Sequence, residues 1–93
     1  MRLKGKIVLI TGGSRGIGKS IAELFVKEGA KIIITSKNES ILKKTSKELG
    51  DVFYVKADIR NNSDVEKVIK KIIKKFGKID ILINNAGVFP KFK

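Results

Sequence analysis

Cysteine and histidine are both absent from the 93-residue sequence, and these two absences remove a good deal of chemistry. Without thiols there is no disulfide frame and no cysteine nucleophile. Without imidazole there is no histidine base, and with neither ligand type no zinc site is expected. Proton chemistry would fall to the single tyrosine, to lysine, to serine or to a carboxylate. Also lacking is an apolar run long enough to cross a bilayer. Met1 to Gly5 leads straight into the first apolar segment with no signal-peptide pattern, so a cytoplasmic protein with no membrane partner is expected. The length suits one domain spanning residues 1–93 and leaves no room for a second core.

Acidic residues are scarce, 9 against 21 lysines and arginines, for a formal net charge of +12. Such a balance raises nucleic acid or an anionic membrane as partners. Its distribution argues otherwise. Lys67, Lys70, Lys71, Lys74 and Lys75 share the outer face of one expected helix, where a solvated surface explains them, and no aromatic platform is interleaved to stack bases. A phosphate-rich small ligand uses the same charge.

The stretch Thr11-Gly12-Gly13-Ser14-Arg15-Gly16-Ile17-Gly18 lies between the apolar run Ile7 to Ile10 and an amphipathic segment. A strand that turns abruptly into a helix leaves N–H groups unpaired at the helix start, and with the helix dipole these form an anion site. Glycines at 12, 16 and 18 let a pyrophosphate approach the main chain and the helix approach the sheet. Ser14 adds a hydroxyl and Arg15 a positive charge. The stretch reads as a dinucleotide phosphate loop, although a Gly-rich turn also serves simply to join a strand to a helix. No Gly-Lys-Ser/Thr closes it, so it is not a Walker loop.

The rest alternates strand and helix. Strand one covers about Lys6 to Thr11, and Ile17, Ile21, Leu24 and Phe25 give the first helix an inward stripe ended by Gly29. Ile32 to Thr35 form strand two. Helix two spans about Glu39 to Leu49 with a thin apolar face, and is expected to be the least firmly packed. Strand three is Val52 to Val55, with Asp58-Ile59 just past its end. Ser63-Asp64-Val65-Glu66 matches a capping box and opens the clearest helix, with Val65, Val68, Ile69, Ile72, Ile73 and Phe76 inward and Gly77 closing it. Strand four, Ile79 to Asn84, delivers Asn85-Ala86-Gly87.

Four strands alternating with three helices predict right-handed crossovers in a parallel sheet. The expected fold class is α/β, the N-terminal half of a Rossmann-type doubly wound sheet in the order 3-2-1-4. That order places the turn at Gly12 to Gly18 and the segment Asn84 to Gly87 on one crevice, where Asn85 bonds ligand or main chain and Ala86 and Gly87 let a ribose lie close. At the end of strand two a carboxylate would select a ribose 2′-hydroxyl, whereas a cation attracts a 2′-phosphate. Ser36 and Lys37 stand there with Arg15 near, so the preference leans to NADP over NAD. In a chain so rich in lysine, Lys37 also needs no special reason.

Thr-Gly-x-x-x-Gly-x-Gly after a short strand, a strand-end Asp, and Asn-Asn-Ala-Gly after Asp-Ile-Leu-Ile resemble the short-chain dehydrogenase/reductase family. Within it, the stretch from Gly5 to Pro90 resembles the branch of 3-oxoacyl-carrier-protein reductases and glucose dehydrogenases. The resemblance implies that Asp58 accepts from the adenine amino group and Ile59 lies along the ring, unless Asp58 is a turn residue before a helix. It implies hydride transfer with nicotinamide, assisted by a tyrosine, a lysine four residues on and a serine. The sole tyrosine, Tyr54, is followed at that spacing by Asp58 and not by a lysine, so Tyr54 is expected in the core and no catalytic residue is assigned. The expectation is a cofactor-binding portion truncated before the catalytic half, with the edge of strand four open to a complementary piece or to a second copy. A stand-alone nucleotide-binding module and a basic polyanion-binding protein are the competing readings.

Overall fold

A computed structural model of the chain describes residues 2–12 and 16–85. The elements run β1 (Ile7–Thr11), α1 (Gly16–Lys27), β2 (Lys31–Ser36), α2 (Glu39–Glu48), β3 (Phe53–Lys56), α3 (Asn62–Phe76) and β4 (Ile81–Asn84). The four strands form one parallel sheet in the order β3-β2-β1-β4, the doubly wound, Rossmann-like arrangement expected. All five residues of β1 and four of the six in β2 are buried. These are the central strands, covered on both faces, which is why they read as unbroken apolar runs.

Alternate side chains divide the core. Val8, Ile10, Ile32 and Ile34 pack with Ala22 of α1 and Leu42 of α2 on one face. Ile7, Leu9, Ile33 and Val55 pack with Val68 and Ile72 of α3 on the other. The connections through α1 and α2 thus cover one side of the sheet, and the return through α3 covers the opposite side.

Strand β4 starts later than the sequence pattern predicts. Asp80 replaces a ladder rung: its carboxylate Oδ2 accepts the Ile7 N–H at 2.8 Å while its own N–H donates to the Ile7 carbonyl at 2.8 Å. That N–H first, then the nearby Lys78 ammonium, hold the Asp80 carboxyl below the ordinary carboxylate range.

Three local expectations are corrected. The helix α1 stripe is rotated: Gly18 and Ala22 are the buried residues, whereas Ile17 is 71% and Leu24 56% exposed. Small side chains allow the closest helix–sheet approach, so they take the centre of the contact and Ile21, Phe25 and Val26 flank it. Helix α2 is not the most loosely held, since it buries Leu42, Thr45 and Ser46. The Ser46 hydroxyl donates to the Val52 carbonyl, and the Ser46 carbonyl accepts from Asp51 and Val52, which pins the α2–β3 turn. Helix α3 is capped by Asn61, whose Oδ1 accepts from Ser63 at 2.9 Å and Asp64 at 3.3 Å, not by Ser63. On the same helix Ile69 and Ile73 remain partly exposed. Lys75 leans over the rings of Phe53 and Phe76, so its stem packs and only its neighbours are purely solvated.

Candidate functional site at the carboxyl ends of the strands

The parallel register sets Thr11 of β1 opposite Thr35 of β2 and Asn84 of β4. Beyond that row the backbone stays paired: Gly12 N–H donates to the Thr35 carbonyl at 2.9 Å, and Asn85 N–H to the Thr11 carbonyl at 3.2 Å. The Thr11 hydroxyl fastens the corner further, donating to Asn84 Oδ1 at 3.0 Å and accepting from Asn85 N–H at 3.1 Å. The start of the glycine turn and the start of the Asn-Asn-Ala-Gly segment therefore border one crevice.

Gly12 and Gly16 have φ of +69° and +59°, a left-handed backbone that a Cβ disfavours. A Cβ at Gly16 would meet nothing within 4 Å, so the turn's geometry and not crowding calls for glycine there. Gly18 is buried against the sheet, and Ile17 stands exposed in the first turn of α1. That turn carries no acidic residue. The helix start therefore presents its positive dipole end without a carboxylate that would repel an anion. Ser14, Arg15, Ala86 and Gly87 lie outside the described residues.

Past β2, the Ser36 hydroxyl accepts from Asn38 N–H at 3.3 Å, and Asn38 Oδ1 caps α2 by accepting from Ile41 at 3.1 Å. Lys37 between them is exposed. Past β3, Lys37, Lys56, Ala57, Asp58 and Asp64 line a recess of about 440 Å³. Asp58 is held on both sides: its N–H donates to Asp64 Oδ2 at 2.8 Å, and its carboxylate faces Arg60 at 3.1 Å. The Arg60 guanidinium first, then the Arg60 backbone N–H, lower the Asp58 carboxyl to about 2 against partial desolvation, with Lys37 adding a smaller pull. Ile59 lines an apolar recess of about 100 Å³ with Thr11, Thr35, Asn84 and Leu82. A larger groove, about 820 Å³, lies where β2 and β3 begin, beside Lys31 and Phe53. That is the opposite end of the sheet from the one where ligands of open α/β folds collect.

The fold gathers Gly12, Gly16, Ile17, Gly18, Lys37, Asp58, Ile59 and Asn85 at one end of the sheet. Three further residues shape that end and were not singled out from the sequence. Thr11 was visible as the first residue of the Thr-Gly motif. Asp64 and Arg60 gave no signal, since their partnership with Asp58 exists only once the turn before α3 is closed. Tyr54 packs half-buried with the α1/α2 side of the core, away from this end.

The sequence profile described as short chain dehydrogenase matches residues 6–93. A 3-oxoacyl-[acyl-carrier-protein] reductase from Vibrio cholerae is 48% identical over 89 residues, which cover 95% of this chain and 36% of that protein. The crystal structure of a 3-ketoacyl-(acyl-carrier-protein) reductase from Brucella melitensis complexed with NADH superimposes with a TM-score of 0.86 at 41% identity, over 91% of this chain and 35% of the other. An actinorhodin polyketide ketoreductase with NADPH gives 0.85 at 31% identity, over 89% and 33%. The chain thus spans about a third of the length of the relatives it matches.

Proposed function

We infer that this chain, which belongs to the short-chain dehydrogenase family, forms the dinucleotide-binding portion of an NADP(H)-dependent oxidoreductase. The observation that carries the reading is the Thr11–Asn85 corner, because it makes two distant segments into two walls of one crevice. In this reading the diphosphate lies against the turn at Gly12, whose lack of a Cβ lets it approach, and rests on main-chain N–H groups of Ser14, Arg15, Gly16, Ile17 and Gly18. The adenine meets Asp58 and Ile59, and a ribose lies against Asn85, Ala86 and Gly87. The residues present fit such a group: two left-handed glycines, a helix start free of acid, and an exposed lysine beside the end of β2. One solved relative was captured with NADH and another with NADPH, so the choice between them rests on Lys37 and Arg15. Both are cations suited to a 2′-phosphate.

Proton transfer and substrate choice belong, on this proposal, to residues other than these 93, because Tyr54 packs half-buried against the core in β3, with Asp58 and not a lysine four positions on. Strand β4, with Leu82 58% exposed, is the edge where a complementary piece or a second copy of the chain would join the sheet.

Titration with NADPH and NADH, read by reduced-nicotinamide fluorescence, tests the cofactor assignment. The expected result is tighter binding of NADPH, with Lys37→Glu weakening NADPH at least tenfold more than NADH. Equal losses remove the 2′-phosphate assignment. Absence of binding to either, with salt-sensitive binding to a DNA duplex, replaces the whole reading with a polyanion-binding one.

A further inference from the structure

One residue sends three hydrogen bonds onto the carboxylate that the reading above gives to adenine. Asp58 Oδ1 accepts from the Arg60 backbone N–H at 3.0 Å and from Arg60 Nε at 3.1 Å, while Oδ2 accepts from an Arg60 Nη at 3.1 Å. A guanidinium fork of this kind fixes the plane of a carboxylate as well as its charge. The backbone beneath is fixed too, through Asp58 N–H to Asp64 Oδ2 and Asn61 N–H to the Asp58 carbonyl at 2.9 Å. Arg60 itself is 72% exposed. Packing does not put it there; its own bonds to Asp58 do.

An ionised carboxylate offers about four acceptor directions. Arg60 occupies both on Oδ1 and one on Oδ2, and the remaining direction suits a single N–H donor. Rotation of the Asp58 side chain to meet a different ligand edge would break all three bonds at once. The lysines that share this recess, Lys37 and Lys56, are point charges on flexible stems and do not impose a plane.

We propose that Arg60 is a positioning residue for base recognition. By locking the Asp58 carboxylate with one acceptor direction open, it sets a preference for a purine bearing a 6-amino group over one bearing a 6-oxo group. An amino group donates into the open direction, whereas an oxo group sets lone pair against lone pair. The proposal rests on the reading of Asp58 as the adenine acceptor.

The test titrates the 93-residue chain, its Arg60→Ala variant and its Arg60→Lys variant with NADH and with reduced nicotinamide hypoxanthine dinucleotide. The wild type is expected to prefer NADH. Arg60→Ala should lose about tenfold for NADH, the loss of roughly one good hydrogen bond, and less than twofold for the hypoxanthine analogue. Arg60→Lys keeps the charge without the fork and should not restore the preference. Equal losses for both ligands, no loss, or a wild type indifferent to the base each overturn the proposal.

A ligand-free measurement keeps the two readings separable. Followed by carboxyl carbon NMR, Asp58 should titrate near 2 in the wild type and at a higher pH in Arg60→Ala, where the residue 60 backbone N–H and Lys37 still hold it below the ordinary carboxylate range. A midpoint that does not move overturns the clamp without reference to any nucleotide. If the midpoint moves and neither dinucleotide binds, the cofactor reading fails, and base selection by Arg60 falls with it.

Discussion

The hydroxyl of Thr11 donates to the side-chain oxygen of Asn84 at 3.0 Å across 73 positions of sequence, and the Thr11 hydroxyl oxygen itself receives the Asn85 N–H at 3.1 Å. This buried hydroxyl links the glycine turn to the segment that faces it. Thr11→Val keeps the shape, takes the donor from Asn84 Oδ1 and leaves the Asn85 N–H only its bond to the Thr11 carbonyl. A loss of about 1–3 kcal/mol is expected, measured by urea unfolding, together with weakened dinucleotide binding. Thr11→Ser, which retains the hydroxyl, should lose much less. Equal effects of the two variants would show that the methyl, not the hydrogen bonds, matters here.

Asp58 and Asp80 both ionise below the ordinary aspartate value of 3.8, Asp58 at about 2. In that window the unfolded chain binds more protons than the folded one, so stability rises with pH through it. Their stabilisation is therefore complete only above about pH 5 and is lost as pH falls through 3.8 toward the folded values. Both groups are partly exposed, so the loss should be modest and smaller at high salt. Urea midpoints at pH 7, 5, 4 and 3 check this. Asp80→Asn should flatten the acid limb of the profile, and an unchanged profile would rule out Asp80 as a contributor.

At Gly16 the left-handed backbone and the open space around it separate two costs that usually mix. Gly16→Ala should destabilise by about 1–2 kcal/mol from backbone conformation alone, with no overpacking component. The measured loss by thermal or urea unfolding should therefore be the same for Ala and for a larger residue such as Gln. A much larger loss with Gln would mean that the site is crowded after all.

The cap of α3 gives a paired comparison. Asn61→Ala removes the acceptor for Ser63 and Asp64 N–H and should cost about 1 kcal/mol. Ser63→Ala should fall within about 0.5 kcal/mol of the parent, as exposed substitutions usually do. The reverse order in chemical unfolding would restore Ser63 as the cap.

Leu82 is more than half exposed on the edge strand β4, lining the same apolar recess as Ile69. If that edge joins two copies of the chain, sedimentation should show concentration-dependent association of the parent, abolished by Leu82→Lys. The thermal midpoint of the dilute protein should change little, because the side chain is not in the core. A parent chain that is monomeric at every concentration would remove self-association through β4.

Much of this was legible from residue order. The runs Ile7 to Ile10 and Ile32 to Ile34 could only be strands covered on both faces, and alternation with three helical segments fixed their order in the sheet. Less legible was which side of a helix wins. Ile17 and Leu24 have the apolar character for the core, yet Gly18 and Ala22 take the contact, because close approach to a flat sheet favours the smallest side chains. Ser63 and Asn61 are both credible caps. The choice went to Asn61, because its backbone is extended and its side chain accepts from Ser63 and Asp64, whereas Ser63 already lies inside α3.

Sequence alone determined the parallel α/β sheet, the glycine turn at the end of β1 and the pairing of that turn with Asn85, since periodicity and handedness leave few alternatives. Tertiary structure decided the hydrogen bonds that shape the crevice, Thr11 to Asn84 and Arg60 to Asp58, and, at the opposite end of the sheet, Ile7 N–H to the Asp80 carboxylate. Patterns of burial repeat along a chain and can be counted. A polar contact depends on where two backbones come to rest, to within a fraction of an ångström, and only the closed fold fixes that distance.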